Sequence, residues 1–195
     1  SNILDFSSPK RYDVAFGVES FCQIKDLDLL LKKMHDLLKE NGSLIIIDYF
    51  TEDSAFKEFF DRYWCCSIHS REEFKKQLKL NGLALVEDID LTLNQAPFWD
   101  MSAHHSRMLS IEAEIDEKEK NRLIRSEEFH KFMFQKFINR EAEYRLLKAV
   151  RIWSLLGPLQ AKNEITEVGR AIFMRCESRI FMAAHTRWRL LFVGL

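Results

Sequence analysis

Glycine is scarce in this chain: six among 195 residues, no two closer than twelve positions. That spacing leaves no GxGxxG turn to cradle a dinucleotide phosphate. Four cysteines, two of them adjacent at Cys65 and Cys66, make no metal-ligand pattern, so no metal is expected. No apolar run is long enough to cross a bilayer, and the amino terminus carries no signal-like apolar stretch. The reading is a soluble, cytoplasmic chain with reduced thiols. Charge of one sign is also missing. Twenty-nine basic residues balance thirty acidic ones, for a net charge of −1, which gives no general attraction to nucleic acid or an anionic membrane. Arg140, Arg145, Lys148 and Arg151 are interspersed with glutamates and read as a solvated face.

What the chain has in quantity is aromatic: sixteen phenylalanines and four tryptophans. They fit either an apolar binding chamber or a phenylalanine-rich core. The order of apolar segments is more telling. Residues 12–18 form a short, nearly continuous apolar run, as in a strand buried on both faces. Leu27, Leu30, Leu31, Met34, Leu37 and Leu38 recur at helical spacing, so 26–40 reads as an amphipathic helix stopped by Asn41-Gly42. Residues 44–49 form a second buried strand. Helices follow at 54–65 and at 70–80, the latter opened by a Ser70/Glu73 capping box, and 83–91 is a further strand. This alternation specifies an α/β fold with a parallel sheet and polar groups at the carboxyl ends of its strands, where such sheets bind ligands.

The segment Tyr12-Asp13-Val14, then Glu19-Ser20, then Leu37-Leu38-Lys39 and Gly42, then a strand ending in Asp48, resembles a known family. It is similar to the second half of a class I S-adenosylmethionine-dependent methyltransferase, nearest to the branch acting on small, often lipophilic molecules. Glu40-Asn41-Gly42 stands where that branch carries Pro-Gly-Gly, and Cys22-Gln23 stands where many members carry a histidine. Residues 187–194 resemble the last antiparallel strand of the same fold. The family's first strand, its glycine-rich turn and its ribose-binding acid have no counterpart, so the chain reads as part of a longer protein.

The resemblance implies a Rossmann-like methyltransferase sheet in residues 1–100, a helical cap inserted at 101–186, and a final strand at 187–195. It implies S-adenosylmethionine as cofactor in the full-length protein, contacted by Asn2, Ile3, Gly17, Val18 and Glu19. Glu19 and His104 are the candidate catalytic residues, the histidine as a base near neutral pH. Its neighbour His105 is the alternative to it. Gln23, Asp48 and Tyr49 would line the acceptor, with Phe98 and Trp99 of a Pro-Phe-Trp element walling it. Each has a plainer reading: a helix lead-in for Glu19, a solvated strand end for Asp48, core for the aromatics. The implied function is methyl transfer to a small, partly apolar organic acceptor. The alternative is a truncated, catalytically silent module that binds a protein partner through its sheet edge. Small-molecule substrate, no nucleic acid and no membrane span complete the reading, and a homo-oligomer is compatible with it.

Overall fold

A computed structural model describes residues 3–112 and 114–152. Strands β1 (Tyr12–Val18), β2 (Leu38–Phe50), β3 (Leu83–Asp90) and β4 (Glu143–Arg151) form one sheet in the order β1-β2-β4-β3. Helices α1 (Leu27–Leu37), α2 (Ser54–Trp64), α3 (Arg71–Leu80), α4 (Thr92–Glu112) and α5 (Glu117–Ile138) connect them. β1 and β2 are parallel, with Gly17 opposite Ile46 and Val18 opposite Ile47. The single helix α1 spans the crossover between them, as parallel neighbours require. β4 runs antiparallel to both of its neighbours.

Two apolar clusters hold the layers together. On one face Leu30, Leu31 and Met34 of α1 and Phe74 and Leu78 of α3 pack on Leu44, Ile46, Leu147 and Ala149 of the sheet. The other face, towards the carboxyl end of β2, gathers Ile47, Tyr49 and Tyr144 beneath Phe56 and Phe60 of α2, Trp99 of α4, and Phe129, Met133 and Phe137 of α5. The alternation along β2 follows directly from the two-residue period of a strand, which sends 44 and 46 one way and 47 and 49 the other.

The helix starts are set by local chemistry. Asp26 accepts from the Leu29 amide, Asp53 from Ala55 and Phe56, Ser70 from Glu73, and Asp116 from Glu119. Each capping bond satisfies a donor that the first helical turn leaves over. Of the capping box expected at Ser70, only this half forms, because the Glu73 carboxylate accepts from Gln77 instead.

Three expectations are corrected. The first helix ends at Leu37, and Asn41-Gly42 lies inside β2, where Tyr12 faces Leu38 but Val14 faces Ser43. The excess residues on β2 bulge, with Asn41 at φ 60°. A Cβ on Gly42 would sit 2.9 Å from the Lys39 carbonyl and 3.1 Å from that of Tyr12, so glycine serves close strand approach, not a helix cap.

The second correction concerns 143–151, which falls within the helical cap expected at 101–186. It is β4, inserted between β2 and β3. A helical insertion does precede the last described strand, but it consists of α4 and α5 and closes at Ile138. Residues 153–195, including the expected final strand, and Asn2 lie outside the described residues. Third, Arg145, Lys148 and Arg151 are buried, not a solvated face. Arg145 pairs with Asp88 at 2.5 Å and Glu143 at 3.1 Å, and Arg151 donates to the Leu38 carbonyl. Among the described residues no helix is long and apolar enough to cross a membrane.

Candidate active site

The carboxyl ends of β1 and β2 converge on Glu19. Its amide donates to the Ile47 carbonyl at 2.8 Å, and its φ of 50° puts a non-glycine residue in the left-handed region. Such a conformation costs of order 1 kcal/mol and persists only where surrounding contacts impose it. The contacts here are two phenols. Tyr49 Oη donates to Glu19 Oε1 at 3.0 Å, and Tyr144 Oη donates to the same oxygen at 2.9 Å. The clamp thus uses one carboxylate oxygen. Gln95 Nε2 reaches Tyr49 Oη at 3.4 Å, extending the network into α4. Burial raises the Glu19 pKa above its ordinary value. The Tyr144 bond opposes the rise, the nearby Asp48 charge adds to it, and the Tyr49 bond opposes it again.

Asp48 is 2 % exposed and accepts from three backbone amides. Its Oδ2 accepts from the Phe21 amide at 2.9 Å and the Cys22 amide at 3.1 Å, and its Oδ1 accepts from the Tyr49 amide at 2.9 Å. It therefore holds the single 3-10 turn Phe21–Gln23 that follows Glu19 and Ser20. Burial raises its pKa too, against these hydrogen bonds. A solvated strand end is excluded for Asp48.

Gly17 is where a cofactor was expected to approach the backbone. A Cβ there would lie 2.5 Å from Phe21 Cε2 and 2.6 Å from Ser20 Oγ, so the chain's own turn fills that space. Ser20 Oγ and Trp99 Nε1 are buried and make no hydrogen bond to the described residues. Val18 is half-buried against the second cluster. Ile3 is 2 % exposed and belongs to the first cluster, where its side chain serves packing. Gln23 is exposed, with its amide 3.7 Å from Cys22 Sγ.

Of the aromatic candidates, Trp99 is 3 % exposed, with its ring 6.1 Å from that of Tyr49. Phe98 is half-buried and meets Trp99 edge-on at 5.4 Å. Tyr49 also touches Phe60, Phe137 and Tyr144, so Glu19 sits under a continuous aromatic layer. His104 and His105 lie on the exposed side of α4. A groove of about 490 Å³ between α2 and α5, lined by Phe56, Phe59, Phe129 and Phe132, opens on the far side of that layer from Glu19. Among the described residues no group of three or more His, Cys, Asp or Glu side chains is placed to hold a metal ion.

The structure therefore gathers Glu19, Val18, Asp48, Tyr49 and Trp99, and leaves Ile3, Gln23 and His104 in other surroundings. It adds Tyr144 and Gln95. Tyr144 escaped sequence reading because its segment passes for a helix. A run of Tyr, Leu, Ala and Val with a turn signal at Asn139-Arg140 was the available sign of a strand.

Comparison with known proteins gives the class of fold. Residues 4–88 match the family described as a methyltransferase domain. No curated protein sequence matches the chain. Among solved structures, the chain is similar to geranyl diphosphate C-methyltransferase from Streptomyces coelicolor A3(2), at 21 % identity and a TM-score of 0.56 over 78 % of this chain and 51 % of that one. That structure holds Mg²⁺, geranyl diphosphate and S-adenosyl-L-homocysteine. A putative sarcosine dimethylglycine methyltransferase from Galdieria sulphuraria is similar at 12 % identity and a TM-score of 0.66, over 78 % of this chain and 58 % of that one. Phosphoethanolamine N-methyltransferase 2 of Haemonchus contortus is similar at 17 % identity and a TM-score of 0.62, over 78 % and 36 %.

The fold is that of the Rossmann-like methyltransferases, as the residues at 12–48 imply. The chain spans about half the length of the geranyl diphosphate enzyme it matches.

Proposed function

We propose that this chain forms the acceptor side of an S-adenosylmethionine-dependent methyltransferase acting, as part of a longer protein, on a small and partly apolar organic molecule. The observation that carries the reading is the Glu19 carboxyl, clamped through Oε1 by Tyr49 and Tyr144 under an aromatic layer at the strand ends. Methyl transfer from a sulfonium is an in-line displacement, aided by orientation of the acceptor and by fixed charge near the reacting atoms. Two phenols fix the carboxyl of Glu19, and the left-handed turn presents it beyond the end of β1. A carboxylate there attracts cationic groups and can receive an acceptor proton.

The residues present fit only part of the cofactor. Glu19, with the Ser20 hydroxyl next to it that has no partner among the described residues, suits the cationic methionine end. When bound, that cofactor supplies the methyl group. No glycine-rich turn in this chain suits the rest of it, and Gly17 is occupied by Phe21. Asp48 acts on the site through the turn it holds. Tyr49 and Trp99 form the packed layer behind the site, and half-buried Phe98 at its margin offers apolar surface to an acceptor, which favours a lipophilic one. The reading does not rest on His104, which is exposed, or on Gln23.

A second reading is favoured by one feature. β1 lies at the edge of the described sheet, and its Val14 is 42 % exposed. Such an edge suits pairing with another strand, as in a silent module that binds a partner. The discriminating experiment is methyl transfer from labelled S-adenosylmethionine by the complete protein to a panel of small apolar and polar acceptors. Transfer that depends on Glu19 supports the enzyme, and its absence for every acceptor supports the module.

A further inference from the structure

Cys22 and Cys66 take no part in the chemistry proposed for Glu19, yet they meet beside it. Cys22 is 5 % exposed, in the turn that follows Glu19 and Ser20, and its amide is held by Asp48. Cys66 is half-buried, just beyond α2, and follows Cys65, which turns the chain with a left-handed φ of 52°. The Ser67 amide donates to the Cys22 carbonyl at 2.6 Å, pinning the peptide after Cys66 onto the backbone of Cys22. Adding the two-bond spans from that nitrogen and oxygen to their Cα atoms, about 2.4 Å each, keeps the Cα atoms of Cys22 and Cys66 no more than about 7.4 Å apart, an upper limit just above the disulfide span. Disulfides bridge Cα atoms about 4.4–6.8 Å apart.

The side chains face the same place. Both pack in the aromatic cluster around Tyr49 and Phe60. Cys66 Sγ also lies 3.8 Å from Asp61 Oδ1, an oxygen that accepts from the Ile68 amide at 2.7 Å. The neighbouring Cys66 side chain, and then burial, push the Cys22 thiol up.

We propose that Cys22 and Cys66 are a modification site, joined as a disulfide by exchange with a low-molecular-weight disulfide such as glutathione disulfide. Cys66, the more accessible of the two, attacks as its thiolate. Its sulfur bonds to one glutathione sulfur, the glutathione S–S bond breaks, and one glutathione leaves. Cys22 sulfur then attacks the Cys66 sulfur of the mixed disulfide and displaces the second glutathione. The two cysteine protons end on the two glutathione thiols. The protein is oxidised by two electrons and glutathione disulfide is reduced. The bond ties the turn beside Glu19 to the end of α2 and links the state of the site to the thiol poise around it.

The test is incubation of the folded 195-residue chain with excess glutathione disulfide, followed by peptide mapping without reductant and by amide hydrogen exchange. The expected result is a Cys22–Cys66 cross-link with two thiols lost and no glutathione retained. Amide exchange across residues 19–24 slows several-fold, and dithiothreitol reverses both effects. Cys22→Ser should stop at glutathione carried on Cys66, and Cys65→Ser should leave the cross-link unchanged. Glutathione retained on the parent chain, a Cys65–Cys66 bond, a bond to Cys176, no reaction, or a cross-link that leaves exchange unaltered would each overturn the proposal.

Discussion

Tyr144→Phe removes one hydroxyl and nothing else from the clamp on Glu19. Tyr144 is 6 % exposed, so water does not readily replace the lost donor, and among the described residues Glu19 Oε1 keeps only Tyr49. A hydrogen bond between neutral groups contributes about 0.5–1.5 kcal/mol, and one to an ionised group about 1.5–3 kcal/mol. The cost of the substitution is therefore about 1 kcal/mol where Glu19 is protonated and about 2 kcal/mol where it is ionised. The sign of the pH effect follows from burial. Because the folded-state pKa of Glu19 is raised above 4.5, its contribution to stability is fully present below that value and is lost as pH rises through the raised one. The Tyr144 bond limits that loss, so the variant should lose stability more steeply than the parent as pH rises. Urea unfolding at pH about 4 and about 8, bracketing the carboxylate range, measures both costs. Equal costs at the two pH values, or a cost below about 0.5 kcal/mol at both, would refute the clamp.

Three further outcomes are expected. Asp48→Ala should destabilise the fold by about 3 kcal/mol or more in thermal or urea unfolding, since three backbone amides lose their acceptor; a loss near 1 kcal/mol would mean that water reaches the turn. Gly17→Ala should cost about 1–3 kcal/mol, because its methyl would overlap Phe21 and Ser20, and a crystal structure should show the Phe21 ring displaced. The 195-residue chain alone should not bind S-adenosylmethionine in the micromolar range by titration calorimetry, as neither the glycine-rich turn nor the ribose-binding acid of the family has a counterpart in it; micromolar binding would show that the turn around Glu19 suffices.

The parallel pair β1 and β2, the crossing helix, the helix starts at Ser54 and Ser70 and the strand at Leu83 were all legible in the sequence. Each rests on a local signal: a continuous apolar run, a 3.6-residue stripe, or a capping side chain next to the run it opens. β4 was not legible. Tyr144, Leu147, Ala149 and Ile152 can be fitted to a helix, and Arg145, Lys148 and Arg151 look solvent-seeking. Only tertiary pairing resolves this, since Asp88 neutralises Arg145 and the Leu38 carbonyl receives Arg151. Asn41-Gly42 misled for the converse reason, because a bulge between paired strands uses the same residues as a helix terminus.

Glu19 was legible as a polar residue after an apolar strand. The clamp around it was not, because Tyr144 lies 125 residues away from Glu19 and joins it only through β4. The aromatic excess resolves mostly into core, as Tyr49, Phe60, Trp99, Phe129 and Phe137 pack on one another.

The central claim is that Glu19 works on the reaction and not only on the fold. The direct measurement is methyl transfer from labelled S-adenosylmethionine by the complete protein carrying Glu19→Gln, with the unfolding midpoint recorded on the same sample. Glutamine keeps an oxygen for Tyr49 and Tyr144 to bond, so the fold should persist. Losing one preorganised charged group should lower turnover by about 10²-fold, about 3 kcal/mol in the barrier. Turnover near that of the parent, with the fold intact, would contradict the account.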